Sequence, residues 1–281
     1  VLILLAILPL HEVRAQYNTN RLIISGQSAL YYEDYVLSIQ YFNQALAAKP
    51  YLYEPWFYRG LAKFYLDDYT GSEADVTRAI ELNPYIYNMF ELRGLCRIRQ
   101  KHYAQAIDDY TRSINLNPQN QTAWYNRALC RVEDKDYAQA QLDLDTVVTR
   151  WQSYASAYSL KAQVYLLQTD TLTADKWLDK CLKVAPYDVD AWNMRGMIAL
   201  SRAEWKNADT YLSKVIHLKP KNAANYVNRA LARYNINNLR GAMVASRTVK
   251  PDIAVSLDGG GNADTPDLAG AGQVCLGGGP V

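Results

Sequence analysis

The chain has 281 residues, 49% of them hydrophobic and 21% charged, the balance of an ordinary folded protein rather than a disordered one. Its net charge of +2 excludes a bulk field that would draw the whole molecule to nucleic acid or an anionic membrane. Tyrosine is abundant, with 23 copies, most of them periodic.

The first ten residues, VLILLAILPL, are apolar but too few to span a bilayer as a helix, which needs about 20. HEVRAQ follows, placing Val13 and Ala15 at the −3 and −1 positions of a cleavage site before Gln16. The stretch resembles the apolar region and cleavage site of a secretory signal peptide lacking its start. Residues 1–15 are therefore expected to be a truncated signal peptide. The mature chain is expected to be exported to the periplasm or cell envelope of a Gram-negative-type bacterium, with no membrane span.

One period organises residues 16–243. Prolines fall at 50, 84, 118, 186 and 220, spaced by 34, 34, 68 and 34 residues, with Gln152 in the vacant slot. With each proline at position 32, repeats start at 19, 53, 87, 121, 155, 189 and 223. Position 4 is large in every repeat (Leu22, Trp56, Phe90, Trp124, Tyr158, Trp192, Tyr226). Position 8 is small (Gly26, Gly60, Gly94, Ala128, Ala162, Gly196, Ala230), and so is position 20, from Ser38 to Ala242. Positions 4, 8 and 11 share one face of a first helix, and 20, 24 and 27 share one face of a second. Small residues at 8 and 20 let the two axes approach, and the position-32 proline ends the pair. One pair cannot bury both its faces, so neighbours must stack.

These columns resemble the tetratricopeptide repeat, whose pattern is W-x2-L-G-x2-Y, then A-x3-F, then P. WFYRG (56–60) and AIDDYTRSINLNP (106–118) carry the resemblance most fully. It implies an all-α, right-handed superhelical solenoid of helix-turn-helix repeats that binds a protein or peptide without catalysis or cofactor. It also implies that positions 2, 5, 9 and 12 of each first helix face a concave groove. The expected binding residues are Phe57, Leu61, Phe64, Leu95, Ile98, Tyr125, Leu129, Val132, Leu166, Met197, Leu200 and Leu231. Polar neighbours on the same positions include Glu54, Asn88, Glu91 and Thr122. The alternative is that positions 9 and 12 pack between neighbouring first helices.

Some members of the family grip a C-terminal carboxylate with lysine, asparagine and arginine spread over three repeats. Here Asn126 and Asn228 hold the central asparagine position, but Glu91, Leu95, Ser156 and Leu160 stand where the other groups would be. Recognition of such a tail is not expected. Position 7 is a basic ladder (Arg59, Arg93, Arg127, Lys161, Arg195, Arg229), matched at position 23 by Asp75, Asp109 and Asp143. Pairing between the two helices is expected there, leaving Lys161 and Arg195 as the free charges. Cys96, Cys130 and Cys181 fall on packed positions. Equivalent positions on stacked helices lie about 10 Å apart, too far for a disulfide, so they are read as small buried hydrophobes. No zinc spacing joins them to His11, His102 or His217.

After Ala242 the period fails: Ser246, Val249 and Ala254 occupy positions that call for hydrophobic, small and proline residues. Residues 244–281 are expected to be an irregular, glycine-rich tail. LRGA (239–242), VKPDIAVSLD (249–258), DTP (264–266) and GGGPV (277–281) resemble fragments of the dinuclear-zinc tetrahedral aminopeptidases. The two resemblances imply a chain joined from two sources near LRGA. Asp258 matches a zinc-ligand position of that family. Asn235, Ile236, Asn237 and Asn238 replace the segment that should carry its glutamates, so neither bound metal nor peptidase activity is expected.

Overall fold

The computed structural model describes residues 8–248, with side chains placed for 18–236. All regular structure among the described residues is helical. The helices are α1 (Leu8–Tyr31), α2 (Tyr35–Ala48), α3 (Tyr53–Tyr65), α4 (Tyr69–Leu82), α5 (Tyr87–Arg99), α6 (Tyr103–Leu116) and α7 (Gln121–Glu133). They continue with α8 (Tyr137–Arg150), α9 (Ala155–Leu167), α10 (Thr171–Val184), α11 (Val189–Ser201), α12 (Trp205–Leu218) and α13 (Ala223–Thr248). From α3 onward a first helix begins every 34 residues, and second helices α2 to α12 keep the same step. The chain forms two compact units, residues 1–194 and 195–281. Within the first, each helix packs on the next from α1 to α10; α1 also touches α3, α3 touches α5, and α7 touches α9. Within the second, α12 packs on α13.

The turn joining each helix pair is built the same way six times. Position 15 takes positive φ at Glu33 (62°), Asp67 (61°), Lys101 (63°), Lys135 (64°), Thr169 (63°) and Ala203 (57°). This left-handed residue reverses the chain, and none of the six is glycine. The next residue caps the second helix. Carboxylates of Asp34, Asp68, Asp136 and Asp170 accept from the backbone N–H of Leu37, Gly71, Gln139 and Thr173.

Two columns close the pairs. A Cβ added at Gly94 would lie 2.9 Å from Cζ of the fully buried Tyr110, so the ring fills the space that glycine leaves. The large residue at position 4 does more than fill space. The indole N–H of Trp56 donates to the Pro50 carbonyl oxygen (2.9 Å), Trp124 to Pro118 (3.1 Å) and Trp192 to Pro186 (2.8 Å). The Tyr158 hydroxyl donates likewise to Gln152 (3.0 Å). The acceptor is a backbone carbonyl at position 32 of the preceding repeat, so glutamine serves there as well as proline.

Position 7 links three helices. Arg127 donates through Nε and Nη2 to both oxygens of Asp143 on α8 (3.0 and 2.7 Å) and through Nη1 to Thr111 on α6 (3.1 Å). Arg93 makes the same links to Asp109 and Thr77, and Arg59 to Asp75 and Asn43. A second cation at position 11 completes each site: Lys63 on Asp75, Arg97 on Asp109 and Arg131 on Asp143. The expected pairing with position 23 is thus present in repeats 2 to 4, with aspartate side chains only 3–5% exposed.

The expectation that Lys161 and Arg195 are free is overturned. Lys161 is buried, pairs with Asp145 of the preceding repeat, and sits 4.2 Å from the ring centroid of Trp177. Arg195 lies 5.0 Å from the ring of Tyr211. Trp177 and Tyr211 occupy position 23, so an aromatic face replaces the carboxylate as the cation's partner.

The seventh repeat departs from its sequence pattern. Position 15 falls on Asn237, inside α13, which runs unbroken from Ala223 to Thr248 with no reversal. The helix extends into the segment expected to be irregular; residues 249–281 lie outside the described residues, as do residues 1–7 of the expected signal peptide. Tyr226, Val227, Leu231 and Tyr234 of α13 are exposed.

Three substitutions test this architecture. Arg127→Ala should lower the unfolding free energy by roughly 3 kcal/mol in urea titrations, because Asp143 stays buried with its bidentate partner gone. Arg150→Ala, on the surface, should change it by only about 0.5 kcal/mol. Lys101→Gly, placed at a positive φ, should raise stability by about 0.5–1 kcal/mol by removing the left-handed penalty.

Candidate protein-interaction surface

The first-helix face carries the residues expected to bind a partner, and they divide by depth. Phe57, Leu61 and Phe64 are half-buried against a cluster that includes Val76, Met89, Phe90, Leu92 and Cys96. Leu95, Tyr125 and Leu166 are also half-buried. Ile98, Leu129 and Val132 are buried and present no free surface. In the second unit Met197 and Leu200 are half-buried and Leu231 is exposed.

A row of polar groups runs along the same face. Glu91 on α5 accepts from Nδ2 of Asn120 (2.5 Å), and burial pushes its carboxyl above the usual carboxylate range. One step along, Tyr125 on α7 meets the edge of Tyr154, with ring centroids 5.2 Å apart. Burial, and then the charges of Tyr154, Asp188 and Asp190, push the Tyr125 phenol well up. On α11, Oδ1 of Asn193 is buried without a hydrogen-bond partner. Recurrence of position 5 in Glu91, Tyr125 and Asn193 was visible in the sequence; their burial was not.

The three described cysteines are buried and unbridged. Burial raises the Cys96 thiol to about 11 and those of Cys130 and Cys181 to about 12, so at neutral pH all three are protonated. Among the described residues no cluster of His, Cys, Asp and Glu could hold a metal, and no helix is long and apolar enough to cross a membrane. Asp258 lies outside the described residues.

Comparison with known proteins gives this architecture its class. Tetratricopeptide-repeat family models match residues 57–120, 97–141 and 155–188. The fold is a tetratricopeptide-repeat solenoid. Solved tetratricopeptide-repeat structures resemble it over most of their length. PilW, described as a type IV pilus biogenesis factor, aligns with a TM-score of 0.65 at 15% identity, over 77% of this chain and 98% of its own. PilF of Pseudomonas aeruginosa aligns at 0.63 and 13%, over 78% and 98%. YrrB, described as a TPR protein with an unusual peptide-binding site, aligns at 0.53 and 15%, over 67% and 97%. At these identities the likeness is one of fold. No curated protein sequence matches significantly, and none of the family matches reaches the segment resembling an aminopeptidase.

The thiols provide a test of the packing of this tetratricopeptide-repeat array. In a Cys275→Ser variant, Ellman's reagent at pH 8 should find the remaining thiols unreactive until guanidinium unfolds the chain. Native reactivity should rise as pH climbs towards the raised pKa values, because the thiolate is the attacking form.

Proposed function

We propose that this chain is an exported tetratricopeptide-repeat scaffold that holds a protein or peptide partner on the first-helix face of its repeats. The observation that carries the proposal is the half-buried row Phe57, Leu61, Phe64, Leu95 and Tyr125, flanked by buried polar groups with unused bonding capacity. A surface with apolar anchors and a few convergent polar groups suits an extended or helical segment. Ile98, Leu129 and Val132 support that surface from beneath, while Leu166, Met197, Leu200 and Leu231 continue the same register. The described peptide-binding site of YrrB supports this reading.

The apolar residues 1–10, with Val13 and Ala15 before Gln16, support export. The pilus-biogenesis descriptions of PilW support placement in the envelope. Binding rather than catalysis is the proposed role, and Asp258 is given none, because Asn235, Ile236, Asn237 and Asn238 stand where its partners would be.

A second role, in assembly, is favoured by one observation: the large apolar residues Tyr226, Val227, Leu231 and Tyr234 of α13 are exposed. Light scattering across a concentration series tests it, and a constant monomer mass would remove it.

Photo-crosslinking tests the main proposal. A benzoylphenylalanine at Leu61 or Leu95 should give discrete adducts in an envelope extract. One at Leu142 or Leu172, both exposed on second helices, should not. Equal adducts from both sets would place binding away from the first-helix face.

A further inference from the structure

The first-helix face of residues 19–194 is short of positive charge in a way that selects its ligand. Positions 2, 5, 9 and 12 there carry three carboxylates, Glu54, Glu91 and Asp190, and no lysine, arginine or histidine. We propose that this face takes a lysine- or arginine-bearing peptide segment of a partner protein. The inference rests on the proposal that the face binds peptide at all, and goes further by fixing the sign of the peptide's charge.

Three observations within residues 1–194 converge on a donor-rich, cationic occupant. Glu91 is half-buried, and its one hydrogen bond among the described side chains comes from the neutral amide of Asn120. No described cation pairs with it, unlike Asp75, Asp109 and Asp143 on the second helices, each of which holds two. A carboxylate taken from water without a counter-charge is costly, and an incoming ammonium or guanidinium would offset that cost.

The Asn193 Oδ1 is a second acceptor left empty. Buried acceptors without partners are rare in folded proteins, and this one would accept an N–H of a peptide backbone or a cationic side chain. The third observation is the field at Tyr125, whose phenol is raised by the charges of Asp188 and Asp190 as well as by burial. Its ring meets Tyr154 edge-on, and together the two offer aromatic surface next to negative charge, a setting that attracts a guanidinium or ammonium.

The same face disfavours what the absent carboxylate clamp would have held. An anionic tail would meet Glu91 and Asp190 as like charges, with no lysine or arginine on those four positions to answer it. Polarity of this face is therefore reversed relative to a carboxylate clamp.

Fluorescein-labelled peptides of leucine alternating with lysine, serine or glutamate test this by anisotropy at low and at physiological salt. The lysine peptide should bind about ten-fold more tightly than the serine peptide at low salt, and the glutamate peptide most weakly. The preference for lysine should shrink as salt is raised. Glu91→Gln with Asp190→Asn should abolish that preference while leaving helical circular dichroism unchanged. Equal binding of the glutamate and lysine peptides, or a lysine preference that survives the double variant, would overturn the inference and leave peptide binding standing. Failure of all three peptides to bind would overturn both. Self-association that blocks the lysine peptide would also overturn it, by showing the occupant to be a second copy.

Discussion

A buried aspartate held by two cations is the interaction on which repeats 2 to 4 depend. Asp75, Asp109 and Asp143 each sit on a second helix, almost without exposure, and each is reached by positions 7 and 11 of its own first helix. Ion pairs this deep gain little net stability over apolar packing, but they punish misalignment, since a half-made pair strands a charge. Position 7 carries the constraint onward, because the same guanidinium reaches a neutral acceptor on the preceding repeat's second helix. The indole at position 4 adds a bond to the preceding backbone. Register within a repeat and register between repeats are thus set by neighbouring residues on one helix.

Much of this architecture was legible in the sequence. Column regularity at positions 4, 8 and 20 marked both helices of each repeat, and Asp75, Asp109 and Asp143 announced their pairing with position 7. What escaped was chemistry that looks unlike itself. Lys161 has no aspartate at position 23 of its own repeat; its partners are Asp145 in the repeat before and the indole face of Trp177. Position 4 read as bulk, although its tryptophans and Tyr158 act as donors to a carbonyl that no side-chain pattern displays.

The binding face was legible only in outline. Position alone placed Ile98, Leu129 and Val132 with Phe57 and Leu61, but the former group is buried and the latter half-buried. Charge was hidden by averaging. Residues 1–194 hold 19 basic and 22 acidic side chains, 195–248 hold 10 and 2, and 249–281 hold 1 and 4. The net +2 conceals a segment at +8 between two at −3. Asn237 and Asn238 look competent for a turn, since asparagine tolerates a left-handed backbone, yet α13 passes straight through them.

The reach of position 7 into the preceding repeat has an evolutionary consequence. Its partners at position 25 are Asn43, Thr77, Thr111 and Asp145, all able to accept a hydrogen bond from a cation. Any of these repeats could therefore follow any other and still find an acceptor waiting. Duplication or deletion in units of 34 residues preserves every such link. A gain or loss of any other length between the helices would set a guanidinium against the wrong neighbour. Arrays of this kind are free to lengthen and shorten over generations, but only in whole steps.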